Sequence, residues 1–586
     1  MAVWWWRIIL ALLSSILFSP QRCASQPQLN GTAGNNDYSF MKNATSAPNI
    51  SHYDYIVIGG GTAGCPLAAT LSQNYSVLVL ERGGSPYGNP NITNVTAFGA
   101  ALSDTSPTSP SQRFISEDGV INSRARVLGG GSCLNAGFYT RASPQYVKEV
   151  GWEGKVVNES YEWVEQVVAF EPVMRPWQCA VRDGLLQSGV VPYNGFTYDH
   201  INGTKVGGTI FDRDGHRHTA ADLLQHAHPS RISVLLHATV HRILFRSKGA
   251  SSKPVAHGVI FRDSQGIKHK AYLKHGPGNE IIVSAGALGS PQLLMLSGVG
   301  PAEHLKAHNI SVVLDQPMVG QEMADNPMNA VFIPSPVPVE VSLIQVVGIT
   351  SFGAYIEAAS GENFAGGSPK DYGMFSPKIG QLSKLPPKQR TPEALTRAIE
   401  LMDGLDGAAF QGGFLLEKIT GPISRGHLEL RNRDPNENPI VTFNYFKDPK
   451  DLERCVEGIS TIGKIIESKA FAPFRYPNLP VPVLLNMTAS APVNLLPRHA
   501  NTSSSLEQFC KDTVMTIWHY HGGCQVGTVV DHDYRVLGVD ALRVIDGSTF
   551  NNSPGTNPQA TVMMLGRYMG MKMLKERLGE YGETQQ

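Results

Sequence analysis

The sequence has no excess of charge of either sign, since 49 basic and 49 acidic side chains are spread over 586 residues. A chain without net positive charge has no electrostatic attraction to nucleic acid or to an anionic membrane, so we expect neither as a partner. After the first 18 residues no apolar run is long enough to span a bilayer, and we expect no stable membrane span. Hydrophobic residues make up 42% of the chain, which is long enough to bury a large core in more than one lobe.

Cysteine is also scarce, with seven residues in the whole chain. There is no C-x-x-C pair and no histidine cluster, so we expect no metal site. Cys65 lies in a predicted helix, where a thiol packs as a small apolar group, and Cys133 and Cys524 lie in motifs given below. We take Cys455 and Cys510 as the preferred disulfide pair, although cysteine spacing does not determine connectivity.

The N-terminal segment has the features of a secretory signal peptide. Arg7 precedes an apolar run at residues 8–18, and small residues follow it. We predict a signal peptide at 1–25 and a secreted, extracellular protein, with a retained anchor as the alternative. Cys23 would leave with this peptide, and the other cysteines would then lie in an oxidising compartment. Residues 26–52 are rich in Asn, Ser and Gly and are predicted to form a flexible lead-in.

Sequons for N-glycosylation support secretion, because twelve in one chain are hard to attribute to chance. We expect the last of them to be buried and unmodified. The asparagines are Asn30, Asn43, Asn49, Asn74, Asn91, Asn94, Asn158, Asn202, Asn309, Asn486, Asn501 and Asn551.

Residues 53–82 give the strongest signal in the chain. They combine a buried strand, a glycine-rich turn, a helix, a second buried strand and an acidic residue, in that order. Gly59, Gly61 and Gly64 have the G-x-G-x-x-G spacing, in which the glycines allow a tight turn, the approach of a diphosphate, and close packing of helix on strand. Glu81 follows the second strand, where a carboxylate binds ribose hydroxyls. The unit predicts an α/β dinucleotide-binding fold, and an ordinary glycine-rich turn is the alternative.

The remaining sequence alternates between two patterns. Apolar strands that suit a parallel sheet recur at 280–284 and 542–545, and a long apolar helix is predicted at 558–578. Between about 321 and 505 the chain is richer in proline and contains alternating segments that suit an antiparallel sheet. A parallel lobe is therefore assembled from separated segments, with a sheet-rich lobe inserted between them.

Three blocks carry a resemblance to a known family. The first is the unit at 53–82. The second is Arg-Ala-Arg-Val-Leu-Gly-Gly-Gly-Ser-Cys-Leu-Asn at 124–135, with Ser-Ala-Gly-Ala-Leu-Gly-Ser-Pro at 284–291. The third is Trp-His-Tyr-His-Gly-Gly-Cys at 518–524, with Gly-Thr-Asn-Pro-Gln-Ala at 555–560. The chain resembles the glucose–methanol–choline (GMC) oxidoreductases, a flavoprotein family, and is most similar to the plant branch that contains HOTHEAD-type proteins and almond-type mandelonitrile lyases.

The resemblance implies an FAD-binding Rossmann-like domain built from discontinuous segments, and an α+β substrate domain on an antiparallel sheet. We expect the FAD-binding domain at 53–150, 205–320 and 511–580, and the substrate domain at 151–204 and 321–510.

The resemblance also implies the residues that hold FAD. Some relatives link the flavin covalently through a histidine just before the motif asparagine, but Leu134 stands there, so we predict non-covalent FAD. The expected cofactor-binding residues are Gly59, Gly61, Thr62, Ala63, Gly64, Glu81, Val127, Gly131, Ser132, Asn135, Ala136, Val240, Ala285, Trp518, His519, Asp546, Gly547, Asn557 and Gln559.

The resemblance places His521 at the position of the family's catalytic histidine, and we predict it as the base, because a neutral imidazole can take the hydroxyl proton while a hydride leaves carbon. His519 would point the other way in an extended segment and is the less favoured candidate. Asn557 falls at the second catalytic position of the family, which holds His or Asn. Asn557 could also simply be the N-cap of the last helix, with Pro558 as its first residue.

The resemblance implies oxidation of an alcohol to an aldehyde by an FAD-dependent enzyme. The HOTHEAD-type branch implies long-chain ω-hydroxy fatty acids, oxidised for the plant cuticle. A hydroxynitrile lyase with structural FAD is the alternative, although such lyases typically carry His at the position of Asn557. A catalytically silent flavoprotein is a third possibility. We expect a monomer, and the sequence leaves the electron acceptor open.

Overall fold

The computed structural model describes residues 38–104, 106–246, 253–361, 411–490 and 505–583. The predicted signal peptide, Cys23 and the sequons at Asn30 and Asn501 lie outside these residues.

A six-stranded, wholly parallel sheet forms the centre of the first half of the molecule. Every residue of its four-residue strands Tyr55–Ile58 and Val77–Leu80 is buried, as expected for strands covered on both faces. In spatial order the strands are Met41–Asn43, Ile232–Leu236, Val77–Leu80, Tyr55–Ile58, Glu280–Val283 and Leu542–Val544.

Helices cover this parallel sheet and share its hydrophobic core. The glycine motif ends in the wholly buried helix Gly64–Leu71, which packs against the last helix, Gln559–Glu583. Gly154–Val168 packs on the other side of that last helix. Shorter helices lie at Pro90–Thr93, Phe98–Ser103, Pro144–Val150, Gly286–Leu296 and Ala302–Ala307.

The predicted flexible lead-in at 26–52 is wrong for the part that the structure describes. Met41–Asn43 is an edge strand of the parallel sheet, with Met41 opposite Val234. Ile50–Tyr53 adds a parallel edge to a second, four-stranded sheet. A polar composition conceals both strands, because an edge strand needs backbone hydrogen bonds on one side but few buried side chains. The other three strands of that sheet are Thr239–Arg246, Val255–Arg262 and Lys268–Leu273.

The second half of the molecule is built on a seven-stranded, mainly antiparallel sheet. Its two longest strands pair over seven residues, with Met328 opposite Lys418. In spatial order the strands are Met515–Thr516, Pro327–Pro334, Gly412–Ile419, Ala354–Ser360, Val346–Ile349, Gly203–Val206 and Tyr193–Phe196.

A separate hydrophobic core lies between this sheet and its helices, with Trp177 and Phe471 fully buried in it. The predicted disulfide is confirmed, since Cys455 and Cys510 are joined with a Cα–Cα distance of 6.3 Å. It ties two helices of this core together. The helices are Pro176–Gln187, Pro449–Glu467, Val481–Ser490 and Leu506–Thr513.

Two parts of the chain pack elsewhere than the predicted domain boundaries suggest. The helix Gly154–Val168 falls in the predicted substrate segment 151–204, yet its apolar face is buried in the core of the parallel sheet. The same holds for a three-stranded sheet whose Leu428 and Val441 belong to that core. The sequence pattern gives the type of element but not the core that covers its apolar face. The strands of this small sheet are Gln321–Met323, Gly426–Glu429 and Ile440–Thr442.

Ten of the twelve sequon asparagines lie in the described residues, and all ten are exposed. Asn551 is one of them, so the expectation that it is buried is wrong. Its side chain instead donates to the Val526 carbonyl at 3.2 Å on the surface.

Within the described ranges, no helix has the length and apolarity needed to cross a bilayer. The same ranges contain no group of three or more His, Cys, Asp and Glu side chains arranged to hold a metal ion.

Candidate active site

The glycine motif lets backbone segments approach more closely than any side chain would allow. Gly59 has φ +100°, and a Cβ there would lie 2.4 Å from the Ser284 carbonyl oxygen. A Cβ on Gly64 would lie 2.0 Å from the Gly59 carbonyl oxygen, so only glycine lets the helix start this close to the strand.

Glu81 is buried at the end of the second strand and is held by backbone donors. Its carboxylate accepts from Gly83 N at 2.7 Å and from Gly60 N at 3.1 Å. Burial raises the pKa of Glu81, and these two N–H groups partly reverse that rise. The carboxylate is thereby fixed against the glycine turn, on the wall of the cavity.

A second glycine-rich turn lies against the first. Gly130 has φ +61° and opens the short 3-10 helix Gly130–Cys133, and a Cβ there would lie 2.8 Å from Gly61 Cα. Ser132 Oγ donates to Gly129 O at 2.7 Å and accepts from Ala220 N at 2.9 Å. The two turns therefore place their backbones side by side.

Asn135 and Gln559 connect this turn to the start of the last helix. Asn135 Nδ2 donates to Gln559 Oε1 at 2.8 Å, and Gln559 Nε2 donates to Phe138 O at 2.6 Å. Arg217 Nη1 donates to Asn135 Oδ1 at 3.0 Å. Residues more than 400 positions apart are thus locked together at one edge of the cavity.

Asp546 performs a similar task beside the strand Leu542–Val544. Its carboxylate accepts from Ser290 Oγ at 2.5 Å, from Gly286 N at 2.8 Å and from Ser548 N at 2.8 Å. Burial raises the pKa of Asp546, and these donors partly reverse that rise. The carboxylate fixes Gly547 and the start of the helix Gly286–Leu296 around one point.

These segments enclose a cavity of about 340 Å³. Of the nineteen residues predicted to bind the cofactor, all line it except Gly64, whose place is between helix and strand. Glu81, Ala238 and Val240 all line the cavity, and Ala238 donates its N–H to Glu81 O at 2.8 Å. His519 and Asn557 line it as well.

The two histidines of the prediction differ in their relation to the cavity. His519 lines the cavity with Asn557, whereas His521 is not among the described residues that do so. His521 instead pairs through its backbone with Ala324, at 2.8 and 2.9 Å, and only 2% of it is exposed. Side chains at i and i+2 of an extended segment lie on the same face, so alternation does not separate the two histidines and the local pattern does not indicate which one lines the cavity.

The position of His519 is fixed by its neighbours. Asp325 accepts from His519 N at 2.9 Å and from Thr516 Oγ1 at 2.5 Å. Thr516 Oγ1 in turn accepts from the N–H of Trp518, which has φ +61°. Non-glycine residues rarely adopt such a φ without support from their surroundings, so this carboxylate holds a strained turn in place.

Both imidazoles are neutral near pH 7. Burial lowers the pKa of His519 well below its usual range, and the charge of Lys418 lowers it further. Burial lowers the pKa of His521 to about 4. The pKa values therefore do not choose between the two, and the choice rests on which ring reaches the cavity.

Asn557 lines the cavity just before the last helix. That helix begins at Gln559, so Asn557 precedes the capping position by one residue and is not its N-cap as the alternative would require. Its Oδ1 is buried and has no hydrogen-bond partner within the described part of the chain.

A buried charged residue is among the cavity-lining residues that were not predicted from the sequence. Lys418 lines the cavity, forms an ion pair with Glu357, and is 1% exposed, while Glu357 is fully buried. The signal was present as two adjacent charged residues, Glu417 and Lys418, inside an otherwise apolar strand.

The cavity wall suits a flavin dinucleotide. It offers two glycine-rich turns without side chains, a fixed carboxylate at Glu81 and the start of a 25-residue helix. Trp518 Nε1 and Asn557 Oδ1 on this wall are buried polar atoms with no partner in the ranges described, as expected where a ligand would supply one.

Comparisons with known proteins agree with this geometry. Residues 53–328 and 422–566 match the two family profiles described as GMC oxidoreductase. Protein HOTHEAD of Arabidopsis thaliana is 56% identical over 90% of this chain and 89% of its own length. An (R)-mandelonitrile lyase-like protein of the same plant is 47% identical over 97% of both chains.

A crystal structure of pyridoxine 4-oxidase from Mesorbium loti superposes with a TM-score of 0.68 at 22% identity, covering 89% of this chain and 98% of that one. It supports the fold: a parallel Rossmann-like sheet joined to an antiparallel substrate sheet. The chain belongs to the GMC oxidoreductase family, enzymes that act on CH–OH donors and for which FAD is the implied cofactor.

Proposed function

We propose that this protein oxidises a primary alcohol to an aldehyde with FAD, and that His519 rather than His521 is the catalytic base. The observation that carries the proposal is the shared position of His519 and Asn557 on the wall of the cavity that suits FAD. In GMC chemistry one imidazole and one His or Asn act together on the hydroxyl group.

His519 would take the hydroxyl proton as a neutral imidazole. Its Nδ1 lies 3.4 Å from both Tyr355 Oη and Asn326 Nδ2, so we assign Nε2 to the substrate. The low pKa of His519 keeps this base unprotonated and available near pH 7. Asn557 would hold the substrate oxygen against it.

FAD, when bound, supplies the acceptor for the hydride that leaves the alcohol carbon. We propose that it is bound without a covalent link, because Leu134 lines the cavity where a linking histidine would be needed and its side chain has no nucleophile. A denatured, acid-precipitated sample should release all of its flavin into the supernatant. Flavin retained in the protein pellet would contradict this assignment.

For the substrate we propose long-chain ω-hydroxy fatty acids, on the similarity to HOTHEAD across 90% of the chain. A hydroxynitrile lyase is the second candidate, because the lyase-like relative matches over 97% of both chains. Asn557 favours oxidation, since lyases of this branch typically carry His there.

Anaerobic mixing separates the two functions. Loss of flavin absorbance on addition of 16-hydroxyhexadecanoic acid, with one aldehyde formed per flavin, is the expected result. Release of cyanide from mandelonitrile without loss of flavin absorbance would instead identify a lyase. Shorter primary alcohols and a secondary alcohol of equal length serve as controls for chain length and for the position of the hydroxyl group.

We also propose that the protein is secreted, glycosylated and monomeric. Exposure of all ten described sequon asparagines supports glycosylation, and the disulfide is consistent with an oxidising compartment. Protein expressed in plant cells should lose mass on enzymatic deglycosylation and should then elute with the light-scattering mass of one chain. An unchanged mass, or protein retained inside the cell, would contradict secretion.

A further inference from the structure

Glu357 and Lys418 form a buried ion pair directly behind the candidate catalytic residues. They lie on adjacent strands of the seven-stranded sheet, where Tyr355 is opposite Lys418 and Glu357 follows two residues later on the same face. Lys418 lines the cavity, and its ammonium group pairs with the Glu357 carboxylate. The pair is 1% and 0% exposed, so neither charge is screened by water.

Side chains of the strand Ala354–Ser360 lie close to both candidate catalytic residues. Tyr355 Oη donates to Thr556 O at 2.8 Å, one residue before Asn557, and lies 3.4 Å from His519 Nδ1. Burial raises the pKa of Glu357, while Lys418 and then the side chain of Asn557 lower it, which indicates that the Asn557 amide lies near the carboxylate. Two side chains of one strand therefore reach the two ends of the catalytic pair.

The contact between Glu357 and Asn557 is incomplete as the structure stands. Glu357 Oε1 and Asn557 Oδ1 are both buried and make no hydrogen bond of standard geometry within the described residues. Buried polar atoms without partners are costly, and a functional role is one of the explanations for them. A buried ion pair also adds little stability compared with well-packed apolar residues of the same size, so stability alone does not explain this one.

We propose that Glu357, anchored by Lys418, is a positioning residue that sets the orientation of the Asn557 amide toward the substrate hydroxyl. The inference deepens the proposed alcohol oxidation and rests on it for the identity of the bound group. Lys418 holds the carboxylate in place, and the carboxylate holds the amide.

The test is a double-mutant cycle between Glu357→Gln and Asn557→Ala. The first readout is the dissociation constant of trifluoroethanol, an alcohol that resists oxidation, measured from its perturbation of the flavin absorbance. The second is the rate of anaerobic flavin reduction by 16-hydroxyhexadecanoic acid. We expect Glu357→Gln to weaken binding and to slow reduction by about 10-fold or more when Asn557 is present, and by less than about 2-fold when it is Ala.

Glu417→Gln is the matched control. Glu417 is next to Lys418 and equally buried, but it faces the opposite side of the sheet, where its side chain lies against Gly458. Burial raises its pKa well above the usual range, so the amide replaces a neutral acid of the same shape. It should change neither readout.

Four outcomes would overturn the proposal: no effect of Glu357→Gln, an equal effect in the Asn557→Ala background, an equal effect of Glu417→Gln, or trifluoroethanol binding that is indifferent to all three changes. If Glu357→Gln fails to fold, the variant Glu357→Gln/Lys418→Met removes both charges together and leaves no buried charge unpaired. Failure of the proposed oxidation would look different: wild-type flavin would not be reduced by any alcohol, while the coupling in trifluoroethanol binding would persist.

Discussion

The two halves of the cavity wall are built by different means. The half around the glycine motif consists of consecutive residues whose backbone conformation is dictated locally, such as Gly59 at φ +100°. The half around His519 is held in place by side chains on segments far apart in sequence, including Asp325 and Tyr355, which contact His519 from behind the wall. A substitution that adds a Cβ at one glycine should displace the backbone of the first half. The second half should be disturbed by substitutions that remove single hydrogen bonds.

The largest expected effect lies in the second half and separates His519 from His521. His519→Ala should lower the rate of flavin reduction by about 10³-fold, within the usual contribution of a general base, with FAD content unchanged. His521→Ala should cost less than about 10-fold, because His521 is not among the described residues that line the cavity. Stopped-flow reduction of both variants at equal flavin concentration measures the difference. The reverse order would restore His521 as the base.

The disulfide tests whether the core under the seven-stranded sheet unfolds together with the core of the parallel sheet. Cys455→Ala/Cys510→Ala opens a loop of 55 residues, which corresponds to roughly 4 kcal/mol of lost constraint on the unfolded chain. We expect the core under the seven-stranded sheet to unfold at lower temperature, with flavin release following it. Calorimetry and flavin fluorescence recorded in the same scan compare the two events. Cys65→Ala, which removes a buried thiol from the core of the parallel sheet, is the control for loss of a cysteine side chain.

Gly64→Ala probes the first half through its backbone. The added Cβ would lie 2.0 Å from the Gly59 carbonyl oxygen, so helix or strand must move, at a cost of about 1–3 kcal/mol or more. We expect loss of bound FAD, measured as the flavin-to-protein ratio after purification, with far-ultraviolet circular dichroism retained. Gly154→Ala, at an open helix start with nothing near its Cβ, should leave the ratio unchanged. Full FAD content in Gly64→Ala would show that this turn tolerates displacement.

The same contrast explains what could be predicted from the sequence. The strand–turn–helix unit at 53–82 was predicted correctly because glycine spacing and apolar runs act within a few residues. Met41–Asn43 was missed because a polar edge strand depends on a partner almost 200 residues away. The choice between His519 and His521 could not be made from the sequence, because two histidines at i and i+2 are locally equivalent and the backbone of His521 pairs with a distant segment at Ala324. Lys418 was missed because its role depends on an ion pair with Glu357, which lies on a neighbouring strand.

The last expected effect is a gradual change with pH and concerns Asp325, which lies behind the backbone of His519. Besides His519 N and Thr516, its carboxylate accepts from Tyr445 Oη at 2.5 Å. Burial raises the pKa of Asp325 to about 7, so the folded protein favours the protonated acid relative to the unfolded chain. The stability contributed by this protonation is complete below the unfolded pKa near 4 and is lost as pH rises toward 7.

Asp325→Asn cannot titrate, so its free energy of unfolding relative to wild type should rise between pH 4 and 7, by about 1.4 kcal/mol per pH unit at most. Denaturant unfolding of both proteins at half-unit intervals measures this difference, in which the other titrating groups cancel. The amide also loses an acceptor for the His519 turn, so flavin reduction should slow at every pH. A difference in stability that does not change with pH, together with slowed reduction, would contradict a protonated Asp325. It would mean that Asp325 is ionised in the folded protein and acts only by holding the backbone of His519.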